Sequence, residues 1–281
     1  MLTIRPVAIV VRAVLACLAF AAPCHAQLLS ATRATDSVDA PRSADHPSLR
    51  DGKWLIAAGA LSLAAATDAH LSAFMRDHQR PALDRLANAV DPFGRAGVLV
   101  PVLAASVVAT RLAAPRRISD ATIRIALAYA VADGIESVLK PVVGRHRPSD
   151  GGGPWRFHPL SGNADWHSTP SAHTVHAVTL ATALALESHT SWVAAPAYTA
   201  AALVAVQRVY TGAHWGSDVV ASAALAVVTA AATDRFLRRH GLRGVLPPAQ
   251  PAAGSGSDAA VTPPRAHIAV MGGRIAVGWD F

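Results

Sequence analysis

Cysteine is almost missing from this chain of 281 residues, which holds two, Cys17 and Cys24, both in its N-terminal apolar stretch. Removal of that stretch would leave no thiol, which excludes disulfides and cysteine-ligated metals from the remainder. Lysine is equally scarce: Lys53 and Lys140 stand alone among 25 Lys and Arg residues. A compact ammonium at 140, in a chain that uses arginine nearly everywhere else, marks a place that needs a point charge. Charged residues make up 15% and aromatics 5%, a low density for a water-exposed surface. The formal charge of +7 and pI near 10.4 invite a nucleic-acid partner. The basic residues are scattered, though, and no basic run carries interleaved aromatics, which argues against one. His158, His167, His173 and His176 lie close in sequence, but without Cys or a Glu-bearing zincin pattern they specify no metal. No metal and no cofactor is expected.

Small apolar residues fill the space that charge and aromatics leave, and 52% of the chain is hydrophobic. A basic flank at Arg5, an apolar run to Ala22 broken by Arg12, and Cys24-His25-Ala26 read as a signal peptide over 1–26. An uncleaved anchor is the alternative. Residues 27–53 are a polar linker rich in Ser, Asp, Arg and Pro. Apolar stretches at 54–67, 97–114, 121–139, 171–187, 192–206 and 217–233 predict helices, with Gly and Pro mostly at their edges. Between the first two, Leu71, Phe74, Met75, Leu83, Leu86 and Val90 recur at helical spacing in one amphipathic segment. Asp68 and His70 read as a helix-end pair. The helical domain is expected over 54–240. A flexible Pro/Gly/Ser-rich tail follows at 241–281, with a short hairpin about Gly272-Gly273.

Arg111, Arg116, Arg117 and Arg124 separate the second and third stretches, and Arg235, Arg238, Arg239 and Arg243 follow the sixth. If both groups are cytoplasmic, the polar clusters described next face the exported side of an inner membrane. A cleaved leader starts the chain outside, so this orientation requires that 54–67, the shortest stretch, does not cross. A soluble periplasmic bundle is the alternative.

Three clusters carry the chemistry. Lys140 ends the third stretch and Arg147-Pro148 follows in a turn, so an ammonium and a guanidinium fork can meet one anion. Ser168-Thr169-Pro170-Ser171-Ala172-His173 reads as a helix start, with Ser168 or Thr169 as cap, Pro170 in the first turn and unpaired amides beyond. Such an end binds anions, and Ser171 adds a hydroxyl. His214 and Asp218 are four apart, a spacing at which a carboxylate on one ring nitrogen leaves the other free to attack. Arg208 adds a third cation.

Together, Lys140-x6-Arg147-Pro148, Pro170-Ser171-Ala172-His173 and Arg208-x5-His214-x3-Asp218 resemble the three-part signature of type 2 phosphatidic acid phosphatases. That superfamily also holds bacterial acid phosphatases and vanadium haloperoxidases. Ala172 departs from the usual Gly, and Gln207 from the usual Ser before Arg208. The resemblance implies an all-α, six-helix-type bundle, membrane-embedded, that hydrolyses a phosphomonoester or pyrophosphate, here of a lipid. His214 would be the nucleophile, Asp218 its orienting carboxylate, and His173 the general acid and base. Lys140, Arg147, Ser171, Ala172 and Arg208 would bind phosphate. The alternatives are a vanadium haloperoxidase, a soluble acid phosphatase and a non-catalytic lipid-binding membrane protein. His176 reads as a core histidine or one behind the site, and Trp155, Phe157 and Trp166 as contacts for an acyl chain or the membrane interface.

Overall fold

The structure, a computed structural model, describes residues 53–242 and the backbone of two strands at 265–271 and 274–280. The signal peptide and polar linker therefore fall outside the described residues, apart from residue 53. Helices α1 (Lys53–Asp77), α2 (Pro81–Val90), α3 (Ala96–Ala113) and α4 (Arg116–Val143) lead to a long loop. Helices α5 (Ala172–Ser188), α6 (Ser191–Tyr210) and α7 (Gly216–His240) follow it. In the separate unit 243–281, β1 (Arg265–Met271) pairs antiparallel with β2 (Arg274–Asp280), Met271 facing Arg274 at the turn.

Every apolar stretch is a helix, but the first is far longer than its 14 residues. α1 runs 25 residues because Asp68, which would otherwise break an apolar helix, is fully buried and satisfied by Arg145 and Ser217. Asp68 is thus an interior tie between helices, which corrects its reading as part of a helix-end pair. The expected amphipathic segment is likewise two pieces. Leu71 and Met75 are buried on α1, Val90 is buried on α2, and Arg80 between them is extended (φ −147, ψ 145). Pro81 explains the break, since its ring crowds a helical conformation at the residue before it. With α3 and α7, α1 is one of three described helices long and apolar enough to cross a membrane. The premise that 54–67 is too short to cross does not hold.

α5 is the axis of the bundle. Val175, Ala177, Val178 and Ala181 on it meet Ala132 of α4, Ala201 and Val204 of α6 and Ala226 of α7. Alanine and valine at these contacts let the helices approach closely, and the packing is dispersive rather than aromatic. α3 buries none of its residues, leaving Val100, Val102, Val108 and Leu112 exposed. An apolar face of this extent is unstable in water and suited to lipid.

The two ends of the bundle differ. At one end α4 and α6 finish while α5 and α7 begin. The second half of α1 belongs to that end too, through Asp68 on Ser217 and Leu71 packed with Tyr210 and Val219. At the other, Arg124 of α4 grips Glu187 of α5 through Nε and Nη2 at 2.5 and 2.6 Å, and Arg238 of α7 bonds Asp234 and approaches Glu187 at 3.3 Å.

Candidate active site

The first end gathers all three sequence clusters. α4 stops at Val143 because Gly144 takes a left-handed conformation (φ 58) and its amide caps the Lys140 carbonyl. Any side chain there would also collide with the backbone, since a Cβ would lie 2.0 Å from the His158 carbonyl oxygen. The turn it permits leads the chain directly into Arg145 and Arg147. Arg147 is then fixed by three backbone carbonyls, Ala164 at 3.1 Å, His167 at 3.3 Å and Ala213 at 3.4 Å. Lys140 bonds the buried carboxylate of Glu136 one turn before it. Arg208, in the last turn of α6, meets Asp91 at 3.2 Å.

His214 lies in the short connection from α6 to α7 and is buried. Its Nδ1 is 2.5 Å from the Ser168 carbonyl oxygen. A carbonyl only accepts, so the proton sits on Nδ1 and the lone pair is left on Nε2. Burial, reinforced by the charges of Arg208, Arg147 and Lys140, pushes this ring well below the usual histidine range. The ring is therefore neutral at pH 7, with three cations acting on it.

Asp218 does not touch that ring, contrary to the expected pairing. His214 precedes α7 while Asp218 lies inside its first turn, so the four-residue spacing is not a helical one. The carboxylate instead accepts from the Trp215 amide (2.9 Å), Ser168 Oγ (2.5 Å), Thr169 Oγ1 and Arg145 Nη1. Asp218 thus holds the segment whose carbonyl holds His214, and it acts on the ring through Ser168. The same bonds explain why neither Ser168 nor Thr169 caps α5. The helix begins at Ala172 with Ser171 as its uncapped N-cap, and Pro170 stands outside the helix. Ser171 Oγ is fully buried and accepts from Thr174 Oγ1 at 3.1 Å, so it faces the packing and not the open cavity. Ala172, half-buried, opens the helix.

His173 Nε2 lies 3.3 Å from Asp91 Oδ1, the same oxygen that Arg208 reaches. A cavity of about 480 Å³ opens there, walled by Asp91, Arg95, Arg147, Gln207 and Arg208 among others. Lys140, His173 and His214 are not part of its wall. His176 is buried, with its ring nitrogens at the Gly94 carbonyl (3.0 Å) and Asp133 (2.7 Å). Asp133, Glu136 and His176 bring ligand-type atoms within 4.8 Å of one another and are the described residues best placed to hold a cation. The Lys140 ammonium already supplies positive charge to Glu136.

Four residues that shape this site escaped sequence reasoning: Asp91, Glu136, Arg145 and Asp68. Arg145 is buried between Asp68 (2.8 Å) and Asp218, under Trp155, Phe157 and Trp215. The signal for Asp68 was legible, because a lone carboxylate inside an apolar helix needs a partner. Asp91, in a polar Asp-Pro turn, gave none. Trp155 and Phe157 are exposed on their outer faces, and Trp166 packs edge-on against His146 at 4.6 Å.

Residues 121–241, which hold all three sequence clusters, match the model of the PAP2 superfamily. That region carries the likeness to the PAP2 superfamily. Among solved structures, the chain is similar to the transmembrane PAP2-type phosphatidylglycerolphosphate phosphatase of Bacillus subtilis. That likeness has 23% identity and a TM-score of 0.52, over 66% of this chain and 93% of the other. LpxE of Aquifex aeolicus is similar at 21% identity and a TM-score of 0.44, over 60% and 94%. No curated protein matches. The first of these likenesses speaks for the fold: the described region is a helical bundle of the same kind. Its helix ends supply the cations and imidazoles, while α1 and the Asp91 turn, N-terminal to the matched region, add Asp68 beside Arg145 and Asp91 beside Arg208.

Proposed function

We propose that this helical bundle is a metal-independent lipid phosphatase working through a phosphohistidine. The observation that carries the reading is the placement of the buried His214 ring, whose Nδ1–H donates to the Ser168 carbonyl and leaves the Nε2 lone pair free. In the first step Nε2 attacks phosphorus and the P–O ester bond breaks. His173 gives its proton to the leaving oxygen. In the second, His173 takes a proton from water as the water oxygen displaces Nε2, releasing phosphate. Lys140, Arg147 and Arg208 hold the non-bridging oxygens, where charge accumulates. Glu136 and Asp91 pair with two of these cations, and an incoming dianion takes over that role.

A lipid substrate is supported by α3, which buries nothing, and by the exposed Trp155, Phe157 and Leu160 at the site end. The basic helix ends, opposite the site, orient it toward the exported side. α1 starts at that basic end, so leader removal before Gln27 and an exported site exclude one another if six helices cross.

His214→Ala is expected to abolish phosphate release from short-chain lipid phosphates, with EDTA leaving the wild-type rate intact. Chelator-sensitive turnover, or turnover that survives the substitution, refutes the mechanism.

A further inference from the structure

His176 is buried on α5, one helical turn beyond His173, and the proposed reaction gives it no task. Its two ring nitrogens tie distant pieces of the chain together. Nδ1 lies 3.0 Å from the Gly94 carbonyl oxygen, which only accepts, so Nδ1 donates. Nε2 lies 2.7 Å from Asp133 Oδ1 of α4, and the Tyr129 ring packs against the imidazole with centroids 4.8 Å apart. The ring is thus held by α4 and itself holds Gly94. That glycine closes the short Asp91–Phe93 turn between α2 and α3, its amide bonding the Asp91 carbonyl at 3.1 Å. The turn lies directly against the proposed general acid: a Cβ on Gly94 would stand 2.8 Å from the Cβ of His173 and 2.8 Å from Val204 Cγ1. Asp91, at its start, sets one oxygen 3.3 Å from His173 Nε2 and 3.2 Å from Arg208 Nη1.

We propose that the Asp133–His176 pair is a clamp that seats this turn, which makes His176 a positioning residue for the general acid. This rests on the phosphatase reading. His173 Nε2 has no hydrogen-bond partner among the described residues, so its place relies on what packs against the ring, Gly94 at the base and Asp91 at the tip. A general acid works only within hydrogen-bond reach of the leaving oxygen, and a misplacement of about 1 Å costs about 100-fold. Asp91 and Gly94 precede the matched region 121–241, whereas Asp133 and His176 belong to it. The clamp is therefore the device that docks the added turn on the site. It needs bonds rather than charge: an amide at 133 donates to the Nε2 lone pair while Nδ1 still donates to Gly94.

The test measures kcat/KM of the purified full chain on two substrates. Short-chain phosphatidate has an alkoxide that needs a proton to leave, and p-nitrophenyl phosphate has a phenolate that leaves without one. His176→Ala is expected to lower the phosphatidate value about 100-fold and the aryl value only a few-fold, as a displaced general acid requires. Asp133 is half-buried, so Asp133→Ala probes the same clamp should the His176 variant fail to fold, and it repeats the pattern. Asp133→Asn restores the phosphatidate rate to near that of wild type. Gly94→Ala reproduces the loss from the other side by pushing the turn off His173. Equal losses on both substrates, unchanged rates, or an Asp133→Asn as damaging as Asp133→Ala overturns the clamp and leaves the phosphatase standing. Wild type that releases phosphate from neither substrate overturns both.

Discussion

His214 gives its Nδ1 proton to a backbone carbonyl rather than to a carboxylate, and this fixes the tautomer without an adjacent negative charge that would raise the ring's basicity. The sign of the pH dependence follows. Burial and three cations depress the ring's proton affinity, so the neutral nucleophile persists below the ordinary histidine value of about 6.5. kcat/KM measured from pH 8 down to 4 is expected to show no loss at His214's ordinary titration. A tenfold decline per unit beginning near 6.5, displaced by substitutions at Arg208, contradicts the argument. Stability moves the other way: the unfolded ring binds a proton below about 6.5 that the folded ring refuses, so acid favours unfolding. The proposed nucleophile and its cations were nameable from residue type and spacing. Its partner was not, because a carbonyl acceptor leaves no trace in side-chain identity.

α1, the α4–α5 loop and α7 are joined by a single buried guanidinium. Arg145 neutralises Asp68 and Asp218 together, and both carboxylates also serve backbone amides at the start of α7. Arg145→Met leaves two buried carboxylates without a countercharge, a loss of about 3–5 kcal/mol by the usual scale of broken buried pairs. Thermal unfolding in detergent should register it, and Asp68→Asn added to that variant should recover part. A variant as stable as wild type would mean that water reaches these groups. Gly144 belongs to the same scale. Gly144→Ala forces a strained conformation and a backbone collision, so Lys140 and Arg147 are expected to part, raising KM for phosphate esters at least tenfold. An unchanged KM counts against the turn as the device that joins them. The helix runs themselves were legible from periodicity, but the end of α1 was not, since Asp68 terminates a helix only if nothing neutralises it.

For the molecule as a whole, the exposed apolar face of α3 separates an embedded bundle from a soluble one. The protein is expected to stay with membranes through carbonate extraction. Val102→Arg, on a residue 54% exposed to what would be lipid, should impair that insertion by about 2.5–3.5 kcal/mol at mid-helix. Release of wild-type protein into the carbonate supernatant would return the soluble bundle to favour. The basic residues at the opposite end were readable in order along the chain, and so was their separation from the three polar clusters.

Spacing and residue type alone determined that this chain is a helical bundle and pointed to the proposed phosphate site, because helices of this length and a Lys, Arg, His set of this order answer to local rules. Tertiary structure decided what neutralises and orients that set. Asp91, Glu136, Arg145 and Asp68 reach it from other turns and helices, and such contacts depend on how helices dock, which no periodicity encodes.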